Sequence, residues 1–94
     1  MISVVEFDVF CLKPNDEAPV YRLWVDDTLF TERAFRWNTH DKYIRERLTI
    51  DSDYDAQHHI RLEKISGIGE FKAINLSAHD EQQRDLKSKF RLSV

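Results

Sequence analysis

One cysteine, Cys11, is present in the whole sequence. A lone thiol forms no intrachain disulfide, so a disulfide-stapled secreted scaffold is excluded. Glycine and proline are scarce, with two of each, and there is no low-complexity segment or internal repeat. No stretch approaches the roughly 20 consecutive apolar residues of a membrane-spanning helix. The opening MISVVEFDVFCL is apolar but is broken by Glu6 and Asp8, lacks a basic start and has no small-residue cleavage site, so it reads as a strand and not a leader. The expected location is therefore the cytoplasm, or a particle such as a virion assembled there. Positive charge is not in surplus either: 14 Lys and Arg stand against 17 Asp and Glu, a net charge of -3. That balance argues against nucleic acid or an anionic membrane as the main partner. The basic runs Arg45-Glu46-Arg47 and Lys87-Ser88-Lys89 read as water-facing sides of strands.

What the sequence does hold is period-two alternation. In a strand, successive side chains point to opposite faces, so an apolar-polar alternation marks one buried and one wet face. Val5, Phe7, Val9 and Cys11 alternate over 2–12, and Tyr21, Leu23 and Val25 alternate with Arg22, Trp24 and Asp26 over 19–25. A third strand is expected over 29–37, after a tight Asp26-Asp27 hairpin. A fourth, over 42–50, places Ile44, Leu48 and Ile50 on one face, interrupted only by Glu46. A fifth follows over 58–65 and a sixth over 71–78, with Ser66-Gly67-Ile68-Gly69 between them as a loop that needs unusual φ. Turns fall over 13–16, 38–41 and 51–55, where Pro, Asn, Asp and Ser gather. The stretch 80–87 has only Leu86 as an apolar anchor, so a polar loop or one short helical turn is expected before a last strand through Phe90, Leu92 and Val94.

Seven strands at spacings of about 8–15 residues point to one all-β domain, 1–94, built as an antiparallel β-sandwich. With 41% hydrophobic residues, the chain can bury a single small core. The expected core is Val5, Phe7, Val9, Leu23, Val25, Ile44, Leu48, Ile60, Leu62, Ile74, Leu76 and Leu92, with the Cys11 thiol buried among them.

The stretches LWVDDTLFTERAF and HHIRLEKISGIGEFKAINLS resemble the middle and closing strands of jelly-roll carbohydrate-binding modules. Those modules carry a strand, an acidic turn and a second strand, and near their end an H-apolar-R-apolar strand followed by a Gly-containing loop. The resemblance covers about half the chain. It implies a jelly-roll-like sandwich and a glycan ligand. Asp27 stands where those modules have Gly, and the chain is short for the fold.

Sites of chemistry are few. Asp51, Asp53 and Asp55 have the opening spacing of a calcium loop, but Ala56 and Leu62 stand where Gly and a bidentate Glu are required, so a solvated turn is the better reading. His58 and His59 are strand neighbours, point to opposite faces and do not chelate one ion together. His40 and His79 are distant in sequence. Neither a metal nor another cofactor is expected. Asp26 and Glu32 form a chance carboxylate pair without a nucleophile or an oxyanion hole, and Ser66-Gly67-Ile68-Gly69 lacks the Lys of a phosphate loop. The chain is not expected to be an enzyme.

Aromatic residues are the functional signal. Trp24, Trp37, Tyr43 and Tyr54 do not all fit inside so small a sandwich, and exposed Trp and Tyr are enriched where proteins bind. Trp24 and Arg22 lie on the polar side of their strand, a surface that calls for cover. The expected binding residues are Arg22, Trp24, Trp37 and Tyr43. They suit a non-catalytic interaction or assembly module that contacts itself or a protein partner, such as a small structural component of a virion. The alternative is a glycan-binding module acting through Trp24 and Trp37.

Overall fold

The computed structural model describes residues 1–12, 17–37 and 42–94. The turn expected over 13–16 and the loop over 38–41, with His40, lie outside them. Seven strands follow in chain order: β1 (Ile2–Leu12), β2 (Val20–Val25), β3 (Thr28–Ala34), β4 (Ile44–Asp51), β5 (His58–Ser66), β6 (Glu70–Asp80) and β7 (Phe90–Ser93). They form a three-stranded sheet in the order β4-β1-β6 and a four-stranded sheet in the order β3-β2-β5-β7. The two sheets face each other as the expected all-β sandwich.

Alternation decides which side chains meet between the sheets. Val5, Phe7 and Val9 of β1, Tyr21 and Leu23 of β2, Leu48 of β4 and Ile60 of β5 are all fully buried, and Leu62 is 2% exposed. Each contributes about 1.5–3 kcal/mol of apolar burial relative to an exposed position. Cys11 is buried as expected. Val25, Ile44, Leu76 and Leu92 pack at the margin of this core, while Phe35, Ala78, Leu86 and Phe90 join it from strand ends and the connection before β7. Ile74 is only half-buried.

Turn chemistry shapes the hairpins. Asp26 and Asp27 both adopt positive φ, 49° and 69°, as a two-residue turn of type I′ requires. Gly67 has φ 88°, and a Cβ there would lie 2.7 Å from Pro19 Cα, so glycine is needed for the close approach as well as for the turn. β3 ends at Ala34, three residues earlier than the alternation suggests, because Phe35 turns inward and donates its backbone N–H to Pro19 at 2.8 Å.

The last strand departs from the antiparallel pattern. β7 runs parallel to β5, with Phe90 beside His58 and Ser93 beside Arg61. β6 finishes at the end of the sandwich where β5 begins, and a short connection there crosses from one sheet to the other. β7 must therefore start level with His58 and run the same way. The connection is organised by Asp80, whose carboxylate accepts hydrogen bonds from the Gln82 and Arg84 backbone and from Arg84 Nε. Leu86, 7% exposed, is its apolar anchor; the stretch 81–86 is a loop, and a 3-10 turn falls just after it at Lys87–Lys89, where a water-facing strand side is expected. No helix in the described residues is long and apolar enough to cross a membrane.

Candidate functional site

Trp24 stands on the outer face of the four-stranded sheet, half-buried, opposite Leu29 of β3 and Arg61 of β5. The guanidinium of Arg61 lies over the indole, 5.3 Å from its centroid. The indole N–H donates to Glu63 Oε1 at 3.1 Å. Next to it, Arg22 pairs with Glu32 at 2.8 Å. The outer face is thus a charged network drawn around one Trp, and a stacked guanidinium supplies part of the cover an aromatic ring needs. Arg22 and Trp24 share this face as expected.

Trp37 and Tyr43 lie elsewhere. Register places the ends of six strands together: Leu12 opposite Glu70, Val9 opposite Ile44, and Val20 opposite both Ser66 and Ala34. Phe71 bridges the sheets there, with Tyr21 at 5.1 Å and Phe35 at 6.2 Å between ring centroids. Around this end stand Leu12 and Ile68, each 58% exposed, Trp37 at 47%, Tyr43 at 46% and Ile65 at 40%. Tyr43 leans on Phe10, 5.1 Å between ring centroids. The structure therefore brings Trp37 and Tyr43 to one apolar end and separates both from Trp24, which sits near the opposite end beside the Asp26-Asp27 turn. Leu12 continues the apolar run of β1, so nothing local marks it as exposed, whereas Ile65 is out of step with Ile60 and Leu62, and Ile68 lies in the Ser66-Gly67-Ile68-Gly69 loop.

The opposite end carries a polar network, with Ile2, Leu29, Phe30 and Tyr54 also exposed there. Asp26 accepts hydrogen bonds from the His59 backbone N–H at 2.8 Å and bonds to His58 Nδ1. Burial acts to raise the Asp26 carboxyl, but the bonds from His58 and His59 outweigh it and hold the pKa below the ordinary value. His58 stacks on Phe90, and His59 Nε2 meets Ser93 Oγ at 2.6 Å. The two histidines point to opposite faces, and their partners tie the hairpin turn and β7 to β5. Among the described residues no three His, Cys, Asp or Glu side chains gather as a metal site. Tyr54, 65% exposed, carries Lys89 Nζ 4.2 Å from its ring centroid.

Glu46, the one break in the apolar face of β4, is 1% exposed. It accepts a hydrogen bond from the Tyr21 hydroxyl at 2.6 Å and one from Arg33 Nε at 3.0 Å. Burial, followed by the bond to Glu46, pushes the Tyr21 hydroxyl far above its usual pKa. The bond to Glu46 likewise raises Arg33. Both partners come from the facing sheet, so the cluster pins the two sheets together.

Comparison with known proteins finds no matching family model, no matching curated protein and no matching solved structure.

Proposed function

We propose that the chain is a non-catalytic protein-interaction or assembly module, with the apolar end around Trp37 and Tyr43 as its contact surface. The observation that carries this reading is the gathering of Leu12, Trp37, Tyr43, Ile65 and Ile68 at one end of the sandwich, each at least 40% exposed. Exposed aromatics with aliphatic neighbours have the composition of an interface core, where burial against a partner is strongly favourable. Arg22 and Trp24 form a second, charged surface whose ring is already partly covered by Arg61. A structural role in a larger particle such as a virion fits a small module of this kind.

Glycan binding is the second reading, favoured by the half-exposed rings of Trp37 and Tyr43, which offer flat faces to a sugar. One comparison separates the two. The double variant Trp37→Ala, Tyr43→Ala should keep its melting temperature but no longer co-sediment with protein assemblies from the producing cell. Saturable binding of purified chain to a polysaccharide panel, lost in the same variant, would favour the sugar instead.

A further inference from the structure

A strand at the edge of a sheet presents unpaired backbone N–H and C=O groups, and proteins usually interrupt such edges to prevent pairing with another chain. Four strands here stand at edges: β3 and β7 in one sheet, β4 and β6 in the other. Three of them are interrupted. β3 carries an extra residue, Phe30, where its register against β2 shifts. β6 has a shift opposite Glu6 and Asp8, with Asn75 at φ 61°, and β7 is four residues long. β4 has no such interruption, though it carries the inward-pointing Glu46 between Arg45 and Arg47. It is eight residues long and pairs with β1 without a shift from Ile2 opposite Asp51 to Val9 opposite Ile44. No strand among the described residues lies on its other side.

We propose that the free edge of β4 is a self-association surface, on which β4 of a second copy pairs antiparallel about a two-fold axis at Leu48. The result is a continuous six-stranded sheet running through both copies. Self-complementarity selects the second copy as the occupant. With the axis at Leu48, Arg45 faces Asp51 of the other copy, Arg47 faces Thr49, and each relation occurs twice. An axis at Glu46 would oppose Arg45 to Arg47, and an axis at Arg47 would oppose that residue to itself, which like charges disfavour. Moving the axis to Thr49 shortens the overlap. Of the facing side chains, Asp51 is 79% exposed and pairs with the Met1 amino group at 3.3 Å, Arg47 is 68% exposed and lies 3.9 Å from Glu6, and Thr49 is exposed on the same face. Arg45 spans Glu6 and Asp8 of β1 at 3.1 and 2.7 Å, so its guanidinium leans toward β1, and its pairing with Asp51 of the other copy requires it to swing to the free edge.

This inference rests on reading the chain as a protein-interaction module, but it uses a surface other than the apolar end. The test is light scattering during size-exclusion chromatography, over concentrations up to the millimolar range, on the native chain and on Thr49→Lys and Thr49→Glu. Thr49 is exposed, and among the described residues its side chain makes no hydrogen bond that either substitution would break. The native chain should show a monomer–dimer equilibrium. Thr49→Lys, which faces Arg47 of the other copy, should weaken it and Thr49→Glu should tighten it, each by about tenfold. A native chain that stays monomeric throughout overturns the proposal, as does a dimer indifferent to both substitutions or weakened by both. A dimer lost in Trp37→Ala but unchanged in the Thr49 variants also overturns it, and leaves the apolar end standing as the interface.

Discussion

The Tyr21 hydroxyl donates to Glu46 Oε1 at 2.6 Å, across the gap between the two sheets. Glu46 is 1% exposed, and its other support is Arg33, whose side chain is 49% exposed. A buried carboxylate is tolerated only when its lone pairs are engaged, and removing one donor leaves part of that requirement unmet. Tyr21→Phe should therefore lower unfolding free energy by about 1–3 kcal/mol in urea titration. Arg33→Ala leaves the same buried carboxylate without its countercharge and should destabilise at least as much, because the charge that remains is Glu46, 1% exposed. A Tyr21→Phe variant as stable as the native chain would mean that Glu46 is solvated in solution.

Core position sets a second expectation. Leu62, 2% exposed between the sheets, should cost about 2–5 kcal/mol when truncated to Ala, since the cavity closes only partly. Ile74 is half-buried, so Ile74→Ala should cost clearly less. Equal losses in thermal melts of the two variants would contradict the placement of Ile74.

These positions also show what the sequence carries. Leu62 and Leu23 are inward by alternation alone, and so are Val5, Phe7 and Val9, because one buried face imposes a period of two. Glu46 was visible as an anomaly in such a pattern, but its partners Tyr21 and Arg33 are 25 and 13 residues away, and nothing local names them. The parallel direction of β7 was equally hidden, since it depends on which end of the sandwich β6 reaches. Among the binding residues, Arg22 and Trp24 share a face because they are two apart in one strand. The joining of Trp37 to Tyr43, and of both to Leu12 and Ile68, depends on long-range register. Alternation extends β3 through Phe35, but the ring caps Phe71 and the backbone leaves the strand there.

Acid should weaken the fold in a defined window. Asp8 is driven up by burial but brought below its ordinary pKa by hydrogen bonds from Asn75 and Arg45. Asp80 is likewise opposed by burial and lowered by the Arg84 backbone and side chain and by Gln82, and Asp26 behaves as described above. Each group binds its proton less tightly in the folded chain than in the unfolded one. Their stabilisation is thus fully present above the ordinary carboxylate value of about 4 and is lost as pH falls through the lowered folded values. Melting temperature should stay level from neutral pH to just above that value and drop below it. Asp8→Asn should flatten part of the decline.

The hairpin gives an opposite sign. Asp27 holds φ 69° without a side-chain hydrogen bond of the kind that anchors Asp26. Asp27→Gly should raise stability by a few tenths of a kcal/mol up to about 1 kcal/mol, because glycine adopts that conformation without strain. Asp26→Gly at the neighbouring position should lower it, since the bonds to His58 and His59 are lost. Calorimetry of the two variants checks both signs together.

Protein contact at the apolar end is the central proposal, and site-specific photo-cross-linking in the producing cell tests it most directly. A benzophenone side chain replacing Trp37 or Tyr43 should form discrete adducts with a protein, while the same group replacing Trp24 should form none or far fewer. Adducts concentrated at position 24, with positions 37 and 43 silent, would contradict the account and move the contact surface to the charged face around Arg22 and Arg61.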